Sequence, residues 1–440
     1  ENLKGKSKEI TDKMIGQFGV GFYSAFMVAD QVSLLTRRAG EQSATLWESS
    51  GDGKYSLSES EKFRRGTSIT LHLKAFDSDN GIEDVTEEWV IKRIVKQYSD
   101  FVAYPIVYRP ASKKAQKKEE QEEPKPINCM KPIWTRSESE VSNEEYKEFY
   151  KHISHDWNEP LKHLTFKAEG RIEYQALLYL PSEAPIDLFF DTGKFGLQLY
   201  VRKVLITENC EDLLPRYLRF VKGLVDSSDL PLNISRQRLQ EDRHIVQIRK
   251  WLARKVIDAL SEIAGSDKET YLKFWKQFGR VLKEGVSFDF ENKDKLTPLL
   301  LFDSSNDAEQ QTTLKEYVAR MKSAQEEIFY LTGNSRSAIA NSPHLEALKA
   351  RELEVLFLSD PIDELMVQSL TEYENKKLKS VAKGRVGLGT DEEQKKARKD
   401  LNAREIQFTD LMVLLKTRLD SEVKEVRLTN RLTDSPACLI

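Results

Sequence analysis

The chain has 440 residues, with 68 Lys and Arg against 71 Asp and Glu and a formal net charge of −3. At about 100–200 residues per domain this is two to four domains, and 39% apolar with 32% charged residues excludes a wholly disordered chain. No run of about 18 apolar residues occurs, so no helix is long and apolar enough to cross a membrane, and the small net charge gives no global pull toward nucleic acid.

Cys129, Cys210 and Cys438 are scattered and form no C-x-x-C, which argues against a disulfide framework or a cysteine zinc site and for a reducing compartment. The chain opens at Glu1 without a Met or a signal peptide and closes on the apolar Ala437-Cys438-Leu439-Ile440. Those ends are the expectation for a piece of a longer protein.

Residues 1–15 are polar and lysine-rich. Gly16, Gly19 and Gly21 then precede an apolar run in which Phe22, Ala25, Phe26 and Ala29 share one helical face, a glycine loop opening into a buried helix. Strands are predicted at 32–36 and 44–48, with Gly51 and Gly53 punctuating a hairpin. Ile69-Thr70-Leu71-His72-Leu73 alternates as a half-buried strand does. A helix is predicted from about 87 to 102, with Thr86 as N-cap and Trp89, Ile94 and Tyr98 inward. Residues 112–126 hold a basic block, an acidic block and two prolines, and read as a solvated linker.

A second module begins near residue 128. Ser142-Asn143-Glu144-Glu145 is a capping box for a helix carrying Tyr146, Phe149 and Tyr150. Strands are predicted at 171–180 and 197–206. A long amphipathic helix is predicted at 243–264, with Ile245, Ile248, Trp251, Leu252, Val256, Leu260 and Ile263 on its apolar face. A strand at 327–332, a turn at Gly333, a helix at 343–350, a strand at 353–358 and a helix at 362–370 argue a small doubly wound unit. Residues 374–404 read as a further linker, and 413–415 and 423–428 as the start of a third module. His152, His155 and His163 lack the partners of a metal site.

Four stretches could carry chemistry. The glycine loop, with Gln17 as an amide donor, suits a phosphate tail at a helix start, or is only a tight turn. It is neither a Walker A loop nor a Rossmann fingerprint. Gly66-Thr67 brings a hydroxyl to a base edge, or is an ordinary turn. In Leu230-Pro231-Leu232-Asn233-Ile234-Ser235-Arg236, Ser235 caps a helix whose first turn holds an arginine. A cation there opposes the helix dipole unless an anion neutralises it; the alternatives are a phosphate or Glu241 and Asp242. Ile186-Asp187-Leu188-Phe189-Phe190 places two adjacent aromatics beside Gly193 and Gly196, which is either an exposed binding surface or a buried irregular loop.

Four motifs carry a resemblance: I-G-Q-F-G-V-G-F-Y-S-A-F at 15–26, K-P-I-W-T-R at 131–136, F-V-K-G-L-V-D-S-S-D-L-P-L-N-I-S-R at 220–236 and V-R-L-T-N-R-L-T-D-S-P-A at 426–437. Together they resemble the 90-kDa heat-shock protein family of ATP-dependent chaperones, nearest its bacterial form, over nearly the whole chain. The resemblance implies an α/β multidomain protein. Residues 1–108 would be the C-terminal half of an ATPase α/β sandwich of the type shared with gyrase, histidine kinases and MutL. Residues 109–127 would be a charged linker. Residues 128–375 would be an α/β middle domain with a second small doubly wound unit, and 376–440 the start of an α+β dimerisation domain.

The same resemblance implies ATP as cofactor, held by Gln17, Phe18, Gly19, Val20, Gly21 and Phe22 at the phosphates and by Thr67 on the adenine side. Arg236 would be the catalytic arginine reaching the γ-phosphate, with Asn233 and Gln240 beside it. Trp134, Leu188, Phe189 and Phe190 would contact clients. It implies a cytoplasmic homodimer that hydrolyses ATP and clamps unfolded or partly folded client proteins, aided by co-chaperones, with no nucleic acid or membrane partner. The general base and the Mg2+ ligand would precede residue 1, so the 440 residues alone would turn over negligible ATP. The alternative is then a non-enzymatic client-binding or scaffold fragment. Gln237 stands where the family usually has Glu. The topoisomerase and mismatch-repair relatives of the ATPase fold act on DNA, and the net charge and the 220–236 motif argue against them.

Overall fold

A computed structural model describes residues 21–75, 84–110, 125–170, 173–190, 195–230, 243–323, 325–382, 391–429 and 432–439. The chain divides into one unit of Glu1–Thr135, Tyr200–Ile206 and Asp226–Asn233, and another of Arg136–Leu199, Thr207–Val225 and Ile234–Ile440. The predicted linker at 112–126 lies, but for its last two residues, outside the described residues.

In the first unit a 3-10 turn at Gly21–Ser24 and a one-turn helix α1 (Ala25–Val28) lead into β1 (Ala29–Arg37). This corrects the buried helix expected at 22–29. Ala29 already has extended backbone (φ −122°), because the strand-forming run that follows pulls the chain out of the helix; the expected face is still the sheltered one, with Phe22, Ala25 and Phe26 half-buried and Ala29 buried while Tyr23 and Met27 are exposed. With β2 (Ala44–Ser49), β3 (Ser56–Ser60) and β4 (Gly66–Leu73) the strand forms an antiparallel sheet of order β3-β2-β1-β4. Gly51 and Gly53 turn the β2–β3 hairpin at φ of 81° and 85°.

Cross-strand partners share a face. The pairs Leu34↔Trp47, Leu34↔Ile69, Val32↔Leu71 and Trp47↔Leu57 gather six large apolar side chains on one side. Ser33, Glu48, Thr70 and Ser56 line the other. The half-buried strand expected at 69–73 is corrected: every residue of β4 is exposed. β4 is an edge strand, and the aromatic cover from Phe22 reaches Trp47 on the far side of β1.

Helix α2 (Glu88–Tyr98) is shorter than predicted. Thr86 is not its cap; the Thr86 N–H and hydroxyl both donate to Asp84, which closes an Asx turn upstream. Val90 is the buried residue of α2, and Trp89, Ile94 and Tyr98, expected inward, are exposed. Beyond it, Asn128 draws two distant stretches together: its side chain accepts from Ile106 N–H and donates to Val102 and Tyr104 carbonyls.

The second unit opens with α3 (Asn143–Ser154), where the Ser142 hydroxyl accepts from Glu145 N–H (3.2 Å) and the Glu145 carboxylate from Ser142 N–H (2.9 Å). This is the reciprocal capping that the sequence predicts, and Tyr146, Phe149 and Tyr150 are buried as expected. Strands β5 (Lys162–Ala168), β6 (Tyr174–Leu180), β7 (Leu197–Val201), β8 (Val204–Cys210) and β9 (Lys222–Ser227) make a sheet of order β5-β6-β9-β7-β8. The single strand expected at 197–206 is two, because Arg202 and Lys203 both take positive φ (52° and 66°) and form a two-residue hairpin turn.

Helices cover both faces of this sheet. Tyr179 of β6 donates its hydroxyl to the Tyr146 carbonyl of α3. On the opposite face, Tyr174 of β6 and Phe166 of β5 meet Trp251 of α4 (Arg243–Ser266), edge-on, at 5.5 and 5.3 Å. The predicted 243–264 helix is therefore present and sits where its apolar stripe demands. A second long helix, α5 (Lys268–Phe288), goes unassigned in the sequence reading; its Phe278 stacks on Phe220 at 4.8 Å and its Phe274 meets that ring edge-on at 5.3 Å.

A second sheet has the order β10-β12-β11-β14-β13, with β10 (Asp303–Ser304), β11 (Glu327–Thr332), β12 (Leu356–Leu358), β13 (Glu372–Tyr373) and β14 (Lys376–Ser380). β11 runs parallel to both β12 and β14, as the doubly wound reading expects, while the two edge strands are antiparallel. Helices α6 (Arg336–Ala340), α7 (Glu346–Lys349) and α8 (Asp363–Ser369) complete it. The linker expected at 374–404 is corrected: β14 is an inner strand, and α9 (Asp391–Gln407) is helical, followed by α10 (Thr409–Arg418). A lysine-rich strand hides from composition because its backbone, not its side chains, does the pairing.

Candidate functional site

Gln17, Phe18, Gly19, Val20, Asn233, Arg236 and Gln240 lie outside the described residues. Of the expected nucleotide residues, Gly21, Phe22 and Thr67 are described. The Phe22 ring packs against Trp47 at 5.4 Å and against Phe26 at 6.3 Å. Its backbone, rather than its ring, is therefore what it can offer a phosphate. Thr67 is exposed at the start of β4, its hydroxyl 2.9 Å from that of Thr36. By strand alternation Thr67 stands on the same face as Ile69 and Leu71. A hydroxyl at the end of an uncovered apolar strip is chemistry that fits the edge and flat face of a nucleobase.

The residues expected to contact clients separate by burial. Phe189 and Phe190 are 44% and 61% exposed and Ile186 is 93% exposed, so the apolar surface expected of 186–190 is present. Leu188 is the exception and is corrected: it is buried, as the anchor beneath the loop. Sequence reasoning missed what holds that anchor. Arg219, itself buried, donates its Nε–H to the Leu188 carbonyl (2.9 Å) and makes a two-pronged pair with Glu284 (2.6 and 2.8 Å). Arg280 lies over the exposed Phe189 ring at 5.0 Å. No local spacing could reveal partners 31 and 65 residues apart.

Trp134, also expected to contact clients, is buried rather than presented at the surface. Its indole N–H donates to Asp226 (3.0 Å), and its ring packs with Phe101 and Tyr200 at 4.6 and 5.1 Å. Asp226 also accepts from Lys203 N–H (3.1 Å). Burial pushes the Asp226 carboxyl above its usual range, and these two donors oppose the rise. Lys222, at the start of the same strand, has its ammonium pKa lowered by burial, with the charges of Asp187 and Asp156 acting against that.

Among the described residues no group of three or more His, Cys, Asp or Glu side chains is placed to hold a metal. His163 stacks on Tyr146 at 4.0 Å, and His155 closes α3 in a left-handed conformation.

Comparison with known proteins decides the family. Residues 108–440 match the family model described as Hsp90 protein. The chaperone protein HtpG of Mycolicibacterium paratuberculosis is 50% identical over 445 aligned positions, which take in 100% of this chain and 69% of that protein. The chain belongs to the Hsp90 family. HtpG of Geobacter sulfurreducens is 52% identical over 453 positions, with the same coverage, and HtpG of Mycobacterium tuberculosis is 49% identical over 446, taking in 99% of this chain. The four motifs that carried the resemblance thus belong to a likeness spread over the whole length. As a member of the Hsp90 family the chain brings its exposed aromatic loop and its buried Arg219–Glu284 pair on one α/β body, and among its described residues no helix is long and apolar enough to cross a membrane.

Proposed function

We propose that this Hsp90-family chain works as part of an ATP-dependent molecular chaperone, a nucleotide-driven clamp on unfolded or partly folded client proteins. The observation that carries this reading is the 50% identity, over all of this chain, to a protein named for chaperone activity. ATP, with Mg2+ held by a ligand outside these residues, would supply the phosphoanhydride whose cleavage drives the cycle. Thr67 supports adenine binding through its solvent-facing hydroxyl, with Gln17, Phe18, Gly19, Val20, Gly21 and Phe22 at the phosphates. Arg236, flanked by Asn233 and Gln240, neutralises the terminal phosphate. Ile186, Phe189 and Phe190 offer clients an apolar surface, and the assembly is a cytoplasmic homodimer that co-chaperones regulate.

A positioned arginine contributes about three to five decades to phosphoryl transfer. Arg236→Ala in the full-length protein is therefore expected to lower steady-state ATP turnover by about a thousandfold or more, with nucleotide affinity little changed. Turnover equal to that of the unaltered protein removes the arginine from the mechanism.

A further inference from the structure

The last described stretch, residues 433–439, forms no strand or helix. It is nevertheless fastened to the second sheet's body at one turn. Glu346, the first residue of α7, accepts three consecutive backbone N–H groups on a single carboxylate oxygen: Thr433 (2.8 Å), Asp434 (3.0 Å) and Ser435 (3.2 Å). Its other oxygen accepts the Ser435 hydroxyl. Consecutive N–H groups converging on one oxyanion form a nest, the arrangement that elsewhere holds phosphate or carboxylate ligands. Here the anion comes from the chain itself.

His344, two residues before, holds the far end. Its Nε2 lies 3.0 Å from the Leu439 carbonyl, which can only accept. Nε2 therefore carries a proton, and Nδ1 faces the Cys438 Sγ, 3.9 Å away. Among the described residues, the hydrogen bonds of 433–439 to the rest of the chain all run to this one turn.

The body beneath does not depend on that stretch. Its core is Phe329, Leu331, Ile339, Leu345, Leu348, Val355, Phe357 and Val381, and no residue of 433–439 contributes to it. Lifting the stretch away leaves no cavity in that core. The cost is a set of charge-assisted hydrogen bonds at an exposed rim, which is the profile of a local opening rather than of global unfolding.

We propose that Glu346 is the pin of a latch that docks residues 433–439 onto the small α/β unit, and that this latch opens as a separate step while the unit stays folded. The latch sets where the segment beyond α10 leaves the α/β body, and so couples that segment's position to the state of one carboxylate. It uses no nucleotide, so it stands apart from the proposed function.

Hydrogen exchange on the intact chain at neutral pH tests this. In Glu346→Ala the Thr433, Asp434 and Ser435 amides should exchange at least about tenfold faster, while the β11 amides keep their wild-type rates. Glu346→Gln, which keeps one acceptor oxygen, should fall between the two. In a Cys129→Ser background, maleimide should label Cys438 several-fold faster once Glu346→Ala is added. Unchanged exchange at 433–435 in Glu346→Ala overturns the pin. A matching acceleration at β11 overturns the separate opening, since it would make the contact part of the unit's own stability. Equal Cys438 labelling with and without Glu346→Ala overturns the release of the far end.

Discussion

The sheet β5-β6-β9-β7-β8 and the sheet β3-β2-β1-β4 begin from similar sequence signals and end differently. Both draw on strands of branched and aromatic residues between polar turns. In the first, β6 is buried on both faces, with α3 against one and α4 against the other. In the second, β4 carries Ile69, Leu71 and Leu73 in alternation and is exposed at every position. Alternation reports which face of a strand is apolar. Whether anything covers that face is a property of the tertiary structure, and it decides what a substitution costs.

The covered sheet is where the largest effect is expected. Gly223 of β9 has φ of 137°, and a Cβ placed on it would sit 2.2 Å from the Leu177 carbonyl oxygen and 2.8 Å from the Leu178 Cα. Both are backbone atoms of β6, the neighbouring strand, and neither can step aside without breaking the ladder. Gly223→Ala combines a left-handed backbone that alanine resists with a clash in a close-packed layer, so a loss of about 3 kcal/mol or more is expected. Urea unfolding followed by far-UV circular dichroism measures it. A loss below about 1 kcal/mol would mean that the two strands move apart easily, and the contrast between a rigid covered sheet and an open one would fail.

A comparable penalty is expected where charge, rather than backbone, is enclosed. Lys283 of α5 is buried and reaches Asp360 (2.7 Å) and Asp363 (2.8 Å), while Asp363 also accepts the Asp360 N–H (3.0 Å). Burial raises the Asp363 carboxyl above its ordinary 3.8, and the Lys283 charge opposes that rise. Lys283→Met removes the opposing charge and leaves a buried carboxylate short of partners, a change worth about 3 kcal/mol. The pH dependence carries the sign. With its folded pKa raised further, Asp363 binds its proton more tightly in the folded state than in the unfolded one. Its contribution is then fully present below pH 3.8 and lost as pH rises through the raised value, so the variant should lose stability more steeply than wild type above pH 3.8. Parallel stability curves for the two proteins would remove the charge from the account.

What could be read in advance follows the same division. Features fixed by neighbours in sequence were legible: the Ser142–Glu145 capping box, the helix at 243–266, the strand at 327–332 and the parallel pairing of β11 with β12. Features fixed by distant partners were not. Trp134 looks like a surface aromatic until Asp226, 92 residues away, is seen to accept its indole proton. Arg219 looks like one more charge until Leu188 and Glu284 close around it. β14 looks like a linker because lysines dominate it, although its pairing with β11 depends only on backbone. At the candidate site the adjacency of Phe189 and Phe190 left an exposed surface and a buried irregular loop as alternatives, and the structure shows a turn that exposes both rings. The burial of Leu188 between them and the core was not foreseen, because it depends on the Arg219 fork.

The smallest expected effect tests the open side of the comparison. Ile69 is 53% exposed on β4, and the residues across from it are Leu34 on β1 and, beyond, Trp47 on β2. Isoleucine there contributes strand propensity and a partial cross-strand contact, but little surface removed from water. Ile69→Ser should cost no more than about 0.5–1 kcal/mol in the chain as it stands. The equivalent change at Leu177, which is fully buried in β6, should cost several times as much. A protein in which the two substitutions cost the same would hold the apolar face of β4 against some other surface. The exposed strip of Ile69, Leu71 and Leu73 would then be an interface rather than an uncovered strand. Tritration of the same two variants with adenine nucleotide separates the cases further: a nucleotide that binds beside Thr67 shields Ile69 and should widen the Ile69→Ser penalty while leaving that at Leu177 unchanged.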